Sequence, residues 1–270
     1  MPLQTSEAND QRPGGASIIC AACAAGLLAA FIFSAFPEID LWVSGLFYGA
    51  DGSFAFSHPS LGADIRYLLR LLFAALCVAS VLGFISAGFF GLKLGGLGHV
   101  AWAYIALCAL LGPGLVANKG FKEYWSRARP SQIEEFGGTQ RFTPPMQRTD
   151  QCERNCSFIS GEASNYFMIG FAFAHLASGV MRRRLFWLAI AAGSFSGLIR
   201  MGGGGHFLSD VVFSGVFMAL VCGGLARLML ESDSSPRYLA AGSPFHESMR
   251  RAGRRMTNTV YYLIHSIRNR

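Results

Sequence analysis

Apolar residues run in long blocks along this chain, and polar residues gather in the gaps between them. A helix that crosses a bilayer needs about 20 mostly apolar residues. Six blocks approach or exceed that length: residues 16–36, 67–90, 100–117, 158–181, 185–199 and 207–230. The pattern predicts an all-α fold, a polytopic membrane bundle with six transmembrane helices. The fifth block is short and rich in Ala and Gly, so its ends are the least defined. The first block resembles a secretory leader, but its apolar run is too long and a single Arg precedes it, so an uncleaved helix is expected. The blocks divide the chain into a polar tail over residues 1–15, a membrane domain over 16–230 and a basic tail over 231–270.

Composition agrees. Of 270 residues, 52% are hydrophobic and 14% charged, against about 25% charged in soluble domains. Mean hydropathy is +0.36. The 32 Gly suit helices that approach closely in a bilayer.

Lys and Arg in short loops set orientation. The run Arg182-Arg183-Arg184 and the Arg-rich tail are expected on the cytoplasmic side. Six spans satisfy both. The connections 37–66, 118–157 and 200–206 then face the periplasm, together with every polar motif discussed below. The connection 118–157 is itself basic, against the rule, and phosphate binding explains that exception. Trp42, Phe47, Tyr48, Phe54 and Phe56 in the first connection suit a helix at the bilayer interface.

The net charge of +7 comes from this outer cluster and from the tail. In the tail, Arg250, Arg251, Arg254 and Arg255 alternate with Met249, Met256, Val260, Leu263, Ile264 and Ile267 at spacings of three and four. That periodicity favours an amphipathic helix on the inner leaflet over a disordered basic tail. The chain has no basic, aromatic-interleaved soluble face, so nucleic acid is not an expected partner. Five of the seven Cys lie in apolar blocks and read as small buried hydrophobes. Cys152 and Cys156 lie in the outer loop; a disulfide there is open, since four-residue spacing bridges only in suitable backbone geometry.

Three polar interruptions carry candidate chemistry. His206 and Asp210 open the last block four residues apart, hence on one helical face. A carboxylate on one imidazole nitrogen fixes the tautomer and frees the other for attack on phosphorus or for general-base work. A His at a helix start with an Asp near the positive helix end is the plainer alternative. Arg200 tips the balance, because an idle Arg at this depth is costly. Gly202 to Gly205 follow it and allow close backbone approach to an anion. Lys122 and Arg129 are seven apart, which on a continuous helix places both on one face, with Pro130 stopping that helix. Lys119 and Arg127 lie nearby, one suited to a membrane edge, the other to solvent or lipid headgroups. Ser160 and Gly161 open the fourth block, where main-chain N–H groups bind anions. Glu162 follows them. It is either a protonated acid for a leaving group or a salt-bridge partner of Lys122 or Arg129.

These residues resemble the type 2 phosphatidic acid phosphatase (PAP2) superfamily, whose signature is KxxxxxxRP, PSGH and SRxxxxxHxxxD. Lys122, Arg129 and Pro130 match the first part, and Arg200, His206 and Asp210 match the third, with Ile199 in place of its Ser. The second reads Ile159-Ser160-Gly161-Glu162. The resemblance implies that His206 is the nucleophile, Asp210 its partner, and Lys122, Arg129, Ser160, Gly161 and Arg200 the phosphate grip. The family's leaving-group His does not carry over, because Glu162 stands there. The run from Cys156 to Glu162 also resembles a bacterial subgroup with CSF-x-SGE, associated with lipid A phosphatases.

The expected activity is therefore cofactor-free and metal-independent hydrolysis of a membrane lipid phosphate in a bacterial inner membrane. The cations take the place of a metal ion. Lipid A is the preferred substrate, with Arg141, Arg148 and Arg154 in the outer loop suited to its anionic saccharide. Undecaprenyl pyrophosphate and phosphatidylglycerophosphate are the alternatives within the class. A lipid phosphotransferase and a non-catalytic phospholipid binder are the alternatives outside it.

Overall fold

The structure, a computed structural model, describes residues 15–57, 61–231 and 244–268. The polar N-terminal tail lies almost wholly outside the described residues. Among those described, the regular elements are helical. We number the main ones α1 (Gly15–Ala35), α2 (Glu38–Gly45), α3 (Leu61–Ile85), α4 (His99–Tyr124), α5 (Gly161–Leu176), α6 (Gly179–Gly202), α7 (Leu208–Met229) and α8 (Pro244–Arg268).

Five helices, α1, α3, α4, α6 and α7, are long and apolar enough to cross a membrane. The fourth expected span, residues 158–181, is the exception. Its helix α5 has 16 residues, about 24 Å long, short of a hydrocarbon core of about 30 Å. It sits at the centre of the bundle against α4, α6 and α7, with Phe167, Met168, Phe171 and Ala172 buried. Its neighbours are helices, and short as it is it still carries the chain from the site end of the bundle to the start of α6.

Small residues permit this packing. A Cβ on Gly170 of α5 would lie 2.3 Å from the Ala189 Cβ on α6. The two backbones therefore meet directly, as small residues allow in membrane bundles. The fifth span is longer than expected. Helix α6 has 24 residues and takes Arg182, Arg183 and Arg184 into its first turns, so they are not a loop. Only Ala177 and Ser178 separate it from α5.

Helix α4 also runs past its expected end at 117. Over Leu110–Phe121 it winds as a π-helix around Pro113, which has no N–H to give a regular ladder. This carries Lys119 and Lys122 on the helix. Lys119 is exposed and pairs with Glu123 at 3.4 Å.

The outer connections are built structures. Helix α2 leaves Trp42 exposed, but Phe54 is buried. Phe54 and Phe56 cover the glycine turn after α6: a Cβ on Gly204 would meet Phe54 at 2.5 Å, and one on Gly202 would meet Phe56 at 2.4 Å. Phe54 therefore packs inside the site, while Phe56 touches the turn and stays 42% exposed. At the other end of α3, α8 packs on the turn Ser86–Phe90. Met249 is buried against Gly88, and Gly253 lies over the Phe89 carbonyl.

Candidate active site

The three polar motifs meet where α4, α5, α6 and α7 end on one side of the bundle. His206 lies in the glycine turn between α6 and α7 and is 1% exposed. Its Nδ1 is 2.7 Å from the Ser157 carbonyl oxygen and 3.6 Å from Asp210 Oδ2. The carbonyl only accepts, so Nδ1 carries the proton and Nε2 holds the lone pair. Burial pulls the His206 pKa down to about 4, and the Arg200 and Lys122 charges add to this against the opposing Asp210 carboxylate. The ring is therefore neutral near pH 7.

Asp210 is wholly buried and fully engaged. Its Oδ2 accepts from Phe207 N at 2.8 Å, which caps the start of α7, and from Ser157 Oγ. Its Oδ1 accepts from Arg127 Nη1 at 2.6 Å. Ser157 thus touches both members of the pair, its carbonyl on His206 and its hydroxyl on Asp210.

Arg127 is not solvated as its sequence position suggests; it is 0% exposed. Beyond Asp210 it bonds Asp40 Oδ2 at 2.8 Å, Ser209 Oγ at 2.8 Å and the Thr143 carbonyl at 2.8 Å. Its guanidinium carbon stands 4.2 Å from the Phe207 ring centroid, a cation–π contact. Asp40 in turn accepts from Ser209 N at 2.8 Å.

The cations expected to grip phosphate approach by different routes. Lys122 and Arg129 do not share a helical face. Helix α4 ends at Tyr124, Ser126 turns at φ 55°, and Arg129 is extended at φ −84°, ψ 158°. Pro130 stops no helix and instead starts the short turn Pro130–Gln132. The two cations converge through Asn155. Arg129 Nη2 bonds the Asn155 carbonyl at 2.6 Å, and Lys122 Nζ lies 3.4 Å from Asn155 Oδ1. Asn155 sits in the small loop closed by a Cys152–Cys156 bridge, Cα–Cα 5.7 Å.

Ser160 caps α5, its Oγ accepting from Ala163 N at 3.4 Å. A Cβ on Gly161 would lie 2.7 Å from Asn118 Oδ1 and 3.1 Å from Lys122 Nζ, so glycine lets Lys122 reach the helix start. Arg200 is 7% exposed and folds against Gly205, where a Cβ would meet its Nη2 at 2.3 Å. Its Nε is a buried donor with no hydrogen-bond partner among the described residues. Buried donors are nearly always paired, so this one is poised for a ligand oxygen.

Glu162 does not pair with Lys122 or Arg129. Arg66 Nη2 reaches its Oε1 at 3.1 Å, Arg70 Nη2 reaches the same oxygen at 2.6 Å, and Arg200 Nε is 3.9 Å from Oε2. A carboxylate clasped by two guanidiniums is held in its charged form, so of the two roles left open for Glu162 these contacts favour the salt bridge, with Arg66 and Arg70 as its partners. Sequence reasoning missed Arg66, Arg70, Asn155 and Ser157, as well as the burial of Arg127 with Asp40.

Comparison with known proteins gives the same family. Residues 99–233 match the PAP2 superfamily. The lipid A 4'-phosphatase of Francisella tularensis subsp. novicida (strain U112) is 36% identical over 207 residues, covering 72% of this chain and 89% of the relative. That of Rhizobium leguminosarum is 33% identical over 214 residues, covering 73% and 90%. No solved structure matches. Signature residues gathered at one end of an apolar helix bundle and similarity along most of the length agree: the chain belongs to the PAP2 superfamily.

Proposed function

We propose that this protein is a membrane lipid phosphatase that removes a phosphate from lipid A through a phosphohistidine intermediate. The observation that carries the mechanism is a neutral His206, its Nδ1 committed to the Ser157 carbonyl, within electrostatic reach of Arg200, whose buried Nε has no hydrogen-bond partner among the described residues. The substrate rests on the lipid A 4'-phosphatases that the chain resembles. Its 4'-phosphate is the bond we assign.

Nε2 of His206 attacks phosphorus, the P–O bond to the lipid breaks, and the lipid oxygen leaves with a proton drawn from solvent. Charge on the three phosphoryl oxygens is met by Lys122, Arg129 and Arg200 and by the N–H groups at the start of α5. The proton on Nδ1 stays between the Ser157 carbonyl and Asp210, which stabilises the cationic phosphohistidine. Water then attacks phosphorus, the P–N bond breaks, and phosphate departs.

The site faces the periplasm in this reading, with the N-terminus and α8 in the cytoplasm of a bacterial inner membrane. Two features support it. The Cys152–Cys156 bridge lies beside the site and suits an oxidising compartment. The basic helix α8 and Arg182 to Arg184 lie at the opposite end, as the positive-inside rule requires.

The test uses purified protein in nanodiscs and lipid A labelled at its 4'-phosphate. Wild type releases phosphate and forms an alkali-stable, acid-labile phosphoenzyme. His206→Ala does neither. Equal release by the two would overturn the mechanism.

A further inference from the structure

Arg66 and Arg70 lie one turn apart on α3, so both face the same way. They belong to none of the signature motifs. Both reach across to Glu162 on α5, Arg66 through Nε at 3.2 Å and Nη2 at 3.1 Å, Arg70 through Nε at 3.2 Å and Nη2 at 2.6 Å. Tyr166, one turn after Glu162, donates to the Leu69 carbonyl at 2.6 Å and fixes α3 to α5 at that level. The Arg66 side chain is 29% exposed and that of Arg70 57%, so both remain open to a ligand. Tyr67, Leu68, Leu71 and Leu72 beside them are exposed on α3, which places the pair where a lipid headgroup meets the bundle.

Charge is the second observation. Arg200 is within electrostatic reach of Arg66, Arg70, Arg129 and Glu162, and Lys122 of Arg70, Arg129, Arg200 and Glu162. Five cations thus stand around Glu162, and Asp210 beside Arg129 is the second carboxylate of the group, an excess of three positive charges. A phosphomonoester brings about two negative charges. About one positive charge is left over, and Arg66 and Arg70 are the cations that no signature motif claims. A site meant for one phosphate alone has no need of it.

We propose that Arg66 and Arg70 form a second anion subsite, which takes another acidic group of the same lipid headgroup while the scissile phosphate sits at His206. Glu162 is the internal anion that holds both guanidiniums in place. This rests on the phosphatase reading for the first anion and adds to it that the substrate carries two anionic groups. Arg suits the role because its planar fork meets an oxyanion through two parallel bonds.

The test compares an acylated glucosamine disaccharide bearing two phosphates with the same lipid bearing only the scissile one. Both are presented in phosphatidylcholine nanodiscs, where no neighbouring anionic lipid can fill the subsite. Binding is measured on His206→Ala, so it is read without turnover, and hydrolysis is measured separately on the His206 protein. We expect the two-phosphate lipid to bind at least about tenfold more tightly, and Arg66→Gln with Arg70→Gln to abolish that preference. Arg70→Gln alone, at the more exposed position, reduces it without disturbing the bundle. Equal binding of the two lipids, or a preference that survives both substitutions, overturns the subsite. Preferential binding by His206→Ala without hydrolysis by the His206 protein overturns the phosphatase reading and leaves the subsite standing. A preference that appears only in discs with added anionic lipid assigns the arginines to the bilayer and overturns the proposal.

Discussion

Arg127 Nη1 lies 2.6 Å from Asp210 Oδ1, with both side chains wholly buried. The same guanidinium holds Asp40 at 2.8 Å, so one cation stands between two carboxylates. Asp210 therefore takes its orientation from a residue 83 positions earlier, and His206 takes its own through Ser157. The site rests on a buried ionic triad and not on the helix α7 alone.

Removing one partner of a buried ion pair costs about 3–5 kcal/mol, because the remaining charge is left without compensation. Arg127→Met leaves two facing carboxylates and is expected to lower the melting temperature of the protein in detergent sharply. Adding Asp40→Asn removes one of those charges and is expected to restore part of the loss. Thermal unfolding of the single and double variants checks this. A single variant within about 2 °C of wild type would mean the triad is unimportant to the fold.

Sequence made the candidate reacting residues visible because the chemistry proposed for them fixes their spacing. A His and an Asp four apart, or a Gly run after an Arg, have short-range meaning. The support does not. Asp40 and Arg127 are 87 positions apart and each stands in a polar connection, where a charge reads as solvated. Arg66 stands at the edge of the second apolar block and Arg70 within it, and neither belongs to a motif; only Glu162, opposite them in space and more than 90 positions away, gives them a role. Helix length failed for a related reason. The block 158–181 is mostly apolar after Asn165, and the break at Ala177–Ser178 is followed by Gly179, which turns at φ 53°. Hydropathy reports burial, and a helix buried in protein looks like one buried in lipid.

The pH dependence of turnover follows from His206. Its ordinary pKa is about 6.5; burial and the neighbouring cations bring it to about 4. In the proposed mechanism the neutral ring attacks, so kcat/KM should be flat from neutrality down to about pH 5 and fall below about pH 4. Asp210→Asn removes the charge that favours the imidazolium, so the acid limb should move lower as kcat drops. Brief pH-jump assays measure both. A limb near 6.5 in wild type would mean that the ring is solvated during catalysis.

The Cys152–Cys156 loop carries Asn155, which meets both Lys122 and Arg129. Opening the loop by Cys152→Ser with Cys156→Ser should loosen both cations at once. We expect KM to rise about three- to tenfold with a smaller fall in kcat, the pattern of weakened ground-state grip. Treatment of wild type with a reductant should give the same shift, and the double variant should not respond to it. An unchanged KM in both would separate the loop from phosphate binding.

Glu162→Gln decides between two roles for the residue that departs from the family pattern. A general acid helps poor leaving groups most and contributes about 10²–10⁴-fold. Loss of such an acid would slow an alkyl phosphate far more than a p-nitrophenyl phosphate, whose leaving oxygen needs no proton. Loss of an anchor for Arg66 and Arg70 would slow the two alike, because the arginines lose their position whatever departs. The contacts at 3.1 and 2.6 Å predict the second result: both rates fall, and the ratio of their kcat/KM values stays within about twofold. A selective collapse of alkyl phosphate turnover would restore Glu162 to the acid role and would require the two guanidiniums to let go before the bond breaks.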